Sequence, residues 1–115
     1  MNRIFAFILI VLLPFTFATA DEVMVVGAGS HSCGKWLASK NDLGARYQYQ
    51  QWVYGFITGS NYRTARKQSM PPDLESVTAF VDQYCSNNPL HALFLAAAAA
   101  AQETGGPKAE HQWKR

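Results

Sequence analysis

Residues 43–66, LGARYQYQQWVYGFITGSNYRTAR, carry the longest periodic pattern in the chain and set its class. Ala45, Tyr49, Trp52, Val53, Phe56 and Ile57 recur at steps of three and four, while Arg46, Gln48, Gln50 and Gln51 fall largely off that stripe. This is the pattern of an amphipathic helix lying on a core, and Asn41 or Asp42 stands in place to cap it. On the N-terminal side, Ser30 or Ser32 can cap a short helix over 32–39 in which Cys33, Trp36 and Leu37 share one face. On the C-terminal side, residues 68–72 form a linker in which Pro71 and Pro72 stop the long helix. Asp73 then caps a third helix, with Glu75 in its first turn and Leu74, Val77, Val81, Tyr84 and Cys85 in period. The run Ser86-Asn87-Asn88-Pro89 breaks the chain, and Pro89 suits the first position of a fourth helix. Leu90, Leu93, Phe94, Ala97, Ala98 and Ala101 would line one face of it, and six consecutive alanines at 96–101 give it a slim profile. Gly105-Gly106-Pro107 ends it. The expectation is an all-α class: a small four-helix domain over 32–104, preceded by an extended or flexible arm at 21–31 and followed by a flexible tail at 105–115.

Ahead of the arm, residues 1–20 have the layout of a cleaved signal peptide. Arg3 is the basic start, residues 4–13 are an unbroken apolar run, and Ala18-Thr19-Ala20 fits the small-x-small cleavage rule. The apolar run stops at Pro14, short of the roughly 18 to 20 residues that span a bilayer, so stable membrane insertion is not expected after cleavage. The mature chain would then keep 95 of the 115 residues, enough for one small domain. Cys33 and Cys85 are its only cysteines, and both would mature in an oxidising compartment. A redox pair or a metal site fits poorly, since there is no C-x-x-C and the three histidines are scattered. A structural disulfide between the first and third helices is the expectation. It closes a 52-residue loop, for which the chain-entropy model gives about 4 kcal/mol.

Charge and motifs narrow the function. Ten basic and eight acidic residues give +2, or +1 once Arg3 is removed, which is no platform for nucleic acid. The one local cluster, Arg63, Arg66 and Lys67, reads as a solvated helix end facing the dipole. Gly27-x-Gly29 starts like a dinucleotide fingerprint, but Ser32 occupies the third glycine position and no strand-helix-strand unit follows. His31 lies two residues from Cys33, yet an oxidised cysteine is no nucleophile. His91 and His111 have no carboxylate partner by spacing, and capping accounts for Asp73 and Glu75. No enzyme, cofactor or metal is implied. Gly55 and Gly59 sit four apart in the long helix at a cost of about 1 kcal/mol each relative to alanine, so close approach of a neighbouring helix or a kink is expected there; a groove opened for a partner is the sharper reading.

The blocks Ser32-Cys33-Gly34-Lys35-Trp36-Leu37, Gln51-Trp52-Val53-Tyr54-Gly55-Phe56-Ile57-Thr58-Gly59, Phe80-Val81-Asp82-Gln83-Tyr84-Cys85 and Asn88-Pro89-Leu90 together resemble small exported proteobacterial proteins of the HdeA-like and Tai-like group. One branch of that group contains acid-stress periplasmic chaperones, and the other contains immunity proteins that neutralise cell-wall amidase toxins delivered by type VI secretion. The resemblance implies a periplasmic four-helix domain with a disulfide joining its first and third helices, and a protein partner: one toxin-like effector, or many unfolded clients. No site is carried over except the cysteine pair. For a binder of one partner, Tyr54, Tyr62, Arg63 and Arg66 are the candidate contacts, because Tyr and Arg are enriched in binding hot spots.

Overall fold

A computed structural model of the chain describes residues 23–107; the expected signal peptide and most of the expected tail lie outside them. Four helices follow in order: α1 (Cys33–Ala38), α2 (Leu43–Arg63), α3 (Leu74–Asn87) and α4 (Leu93–Glu103). No strand occurs among the described residues, and no helix there is long and apolar enough to cross a membrane. The cap residues act as the sequence requires. The Ser32 hydroxyl accepts from the Lys35 amide, Asp42 from Ala45 and Asp73 from Ser76. The Ser76 hydroxyl and then its amide hold the Asp73 carboxyl below its ordinary pKa.

The core is built from short side chains around one large one. Trp36 is fully buried with Cys33, Val53, Val81, Cys85 and Leu93. Cys33 and Cys85 are joined, so the disulfide ties α1 to α3. On α4 the buried face is Leu93, Ala96, Ala97, Ala100 and Ala101. A helix with methyl groups on both flanks lies close to two neighbours at once, and α4 packs against both α2 and α3.

Three expectations need correction. First, α4 starts at Leu93, not at Pro89, and Leu90 is exposed. Residues 88–91 make a turn closed by the His91 amide on the Asn88 carbonyl. Ala92 then pairs with Ser32: the Cys33 amide donates to the His91 carbonyl and the Leu93 amide to the His31 carbonyl. Tertiary pairing has consumed the first turn that local propensity offered.

Second, the segment ahead of α1 is partly structured. Residues 27–30 form a 3-10 turn seated on Trp52, whose indole N–H donates to the Val26 carbonyl at 2.8 Å. Gly29 is buried there, and a Cβ on it would fall 2.1 Å from the Trp52 ring, so only glycine fits.

Third, Gly55 and Gly59 are not close-packing positions. Both are exposed, and a Cβ on either would meet nothing within 4 Å among the described residues. Their backbone is ordinary helix with negative φ. Gly55→Ala and Gly59→Ala are each expected to stabilise the fold by about 0.5–1 kcal/mol, since alanine loses less backbone entropy on folding. Urea melts of the two variants check this, and a loss of stability would show that something covers that face.

Candidate functional site

Beyond Arg63 the chain leaves α2 and crosses to α3 through residues 64–73, and a small set of polar groups fixes the route. The Asn61 side-chain carbonyl accepts from the Ser69 amide at 2.7 Å, and its NH2 donates to the Ser69 carbonyl at 2.8 Å. Ser69 is 2% exposed, and its hydroxyl meets that of Thr104. Thr104 itself donates to the Ala100 carbonyl at 2.8 Å, and its carbonyl accepts from the Met70 amide at 2.9 Å. Gly105, at φ +105°, turns the chain at the end of α4 and so delivers Thr104 to the loop. The Thr64 hydroxyl lies within reach of the Ser60 and Lys67 carbonyls. A buried serine whose backbone N–H and C=O are both met by one asparagine ties the middle of the loop back to the last turn of α2.

What this clasp presents to solvent is distinctive. Tyr62, next to Asn61, is 95% exposed, and Met70, next to Ser69, is 77% exposed. Arg63, Arg66 and Lys67 are exposed as well. Both ion pairs among the described residues converge elsewhere, on Asp82, which takes Arg46 at 3.1 Å and Lys40 at 3.7 Å. The C-terminal dipole of α2 offsets part of the repulsion among the three loop cations.

Of the four candidate contacts, Tyr62, Arg63 and Arg66 come together at this end of the bundle. Tyr54 does not. It is half-buried two turns back along α2, with its hydroxyl donating to the Leu74 carbonyl at 3.2 Å and lying 3.0 Å from the Thr78 hydroxyl, which Gln50 also reaches at 3.2 Å. These contacts bridge α2 and α3, whose backbones make little direct contact while both pack on α4. A groove of about 410 Å³ remains between them, with Tyr47, Gln51 and Tyr54 on one wall and Leu74, Glu75 and Asp82 on the other.

At the end of that groove lies a cluster that periodicity missed. Arg46, assigned to the polar side of α2, is buried, with its guanidinium 4.2 Å from the centre of the Trp36 ring. Asp82 accepts from the Trp36 indole N–H at 2.7 Å and from Arg46 at 3.1 Å. Three helices thus meet at one carboxylate. No signal in the sequence pairs residues 36 and 46 positions apart, and the same holds for the Asn61–Ser69–Thr104 clasp. Lys67 was legible as part of the basic cluster, but its place on an anchored loop was not.

Among the described residues there is no group of three His, Cys, Asp or Glu side chains placed to hold a metal ion. Comparison with known proteins gives no matching family model, no matching curated protein and no matching solved structure.

Proposed function

We propose that this is a small exported, non-enzymatic protein that binds one partner protein, of the immunity or inhibitor type, in the periplasm. The observation that carries the reading is the clasped loop after α2. The clasp of Asn61, Ser69 and Thr104 fixes the backbone that carries Arg66 and Lys67 beside Tyr62 and Arg63, which stand on the last turn of α2, before any partner arrives. Preorganisation of this kind reduces the entropy lost on docking and favours a single, specific complex. Tyr, Met and Arg are the residue types that enrich at protein interfaces. The disulfide between α1 and α3 supports the same reading, because it fits an oxidising compartment and stiffens the frame. The resemblance to the HdeA-like and Tai-like group implies an exported helical protein with a protein partner.

The test is capture from periplasm at neutral pH with an affinity tag at the C-terminus, followed by mass spectrometry and a measurement of stoichiometry. One saturable partner at one-to-one ratio is the expected result. A scatter of substoichiometric proteins, or capture only after acidification, would replace the reading with an acid-stress chaperone that opens and takes many clients.

A further inference from the structure

Arg63, Arg66 and Lys67 fall within five residues, all exposed, with no acidic residue between Arg63 and Met70. The nearest acidic residues along the chain are Asp73, which caps α3, and Glu75 in its first turn, and both ion pairs among the described residues lie elsewhere, on Asp82. The loop is nevertheless held in a single path by two hydrogen bonds from Asn61 and by Thr104. A segment kept ordered against its own charge repulsion gains most when it meets anions arranged to match it. Tyr62 and Met70 flank the cations with exposed apolar surface, which suits a protein face better than a bare anion.

We propose that the last turn of α2 and the loop after it dock on an acidic face of the partner protein, with Arg63, Arg66 and Lys67 meeting carboxylates and Tyr62 and Met70 making the apolar contact beside them. The proposal rests on the single-partner reading and adds the chemistry of the partner's surface. A membrane is the weaker occupant: each Lys or Arg near an anionic bilayer contributes only modestly, and three form a small patch.

The probe is a hexaglutamate peptide titrated into the isotopically labelled, oxidised protein and followed by amide NMR shifts. Shifts concentrated on residues 62–70 are expected, with affinity falling about tenfold between 50 and 500 mM NaCl as the charges are screened. The R63E/R66E/K67E variant is expected to lose binding at least tenfold with its remaining spectrum unchanged, and R63Q/R66Q/K67Q to lose it without reversing the field. Asn61→Ala keeps all three cations but frees the loop, and about a threefold weakening is expected. Shifts spread equally over Lys35 and Lys40, equal binding by the charge variants or by Asn61→Ala, or stronger loop shifts with phosphatidylglycerol vesicles than with the peptide would each overturn the proposal. Peptide binding without a captured partner would remove the single-partner reading alone. A one-to-one partner whose capture survives the charge reversal would remove the loop's role alone.

Discussion

Replacing Cys33 and Cys85 together with alanine is expected to lower the unfolding free energy by about 4 kcal/mol. The bridge closes a loop of 52 residues, and the entropy it removes from the unfolded chain has about that size. Small domains have roughly 5–15 kcal/mol in all, so the variant would be left near the edge of folding. The effect should be felt first at α1. Its six residues are far too few to hold a helix alone, and it stays in place through its packing on α3, where Cys85 sits one turn beyond Val81. Urea titration of oxidised protein and of the double variant, followed by far-ultraviolet dichroism, measures the difference. A loss below about 1 kcal/mol would show that the packing of Trp36 and Val81 suffices and that the bridge is dispensable.

Asp82→Ala is the second large effect, expected to cost about 2–4 kcal/mol. The substitution removes the acceptor of the Trp36 indole N–H and the counter-charge of Arg46, which is only 8% exposed and has no second carboxylate in reach among the described residues. An unpaired buried cation costs about 3–5 kcal/mol, and the value here is set lower because the Asp82 side chain is 27% exposed and water reaches it. The physics also fixes the ordering of variants. R46M/D82L, which removes both charges and leaves apolar side chains of similar length, should cost less than Asp82→Ala alone, because neither charge is left stranded. Asp82→Asn should fall between wild type and Asp82→Ala, since an amide oxygen can still accept from Trp36. Thermal and urea melts of the four proteins decide it. If R46M/D82L proved the least stable, Arg46 would be contributing mainly through its packing on the Trp36 ring.

Helix positions were legible because their causes are local. Ser32, Asp42 and Asp73 sit where caps belong, and each caps its helix. Pro71 and Pro72 lie in the segment that separates α2 from α3. Where a contact came from far along the chain, local reasoning failed. Pro89 suited a first helical position, but pairing of Ala92 with Ser32 delayed α4 to Leu93. Arg46 belonged by period to the wet side of α2, yet Asp82 and Trp36 drew it inward. Residues 21–31 read as an extended or flexible arm, yet Trp52 seats the turn at 27–30. The candidate site divides in the same way: Tyr62, Arg63 and Arg66 were visible as residue types, whereas the asparagine clasp that folds the loop after α2 back on its last turn was not.

The sequence by itself determined the all-α class, the number of helices and the inward facing of Cys33 and Cys85, because apolar period, capping residues and proline breaks act within a turn or two of the chain. Only the tertiary structure decided how those helices meet. It packed α4 against both α2 and α3 and left a groove between those two, and it gathered Trp36, Arg46 and Asp82 from three helices. It also anchored the loop after α2 through Thr104, 35 residues beyond Ser69. Such contacts depend on which faces meet once the helices pack, and side-chain hydrogen bonds of that range leave no periodic trace in the chain.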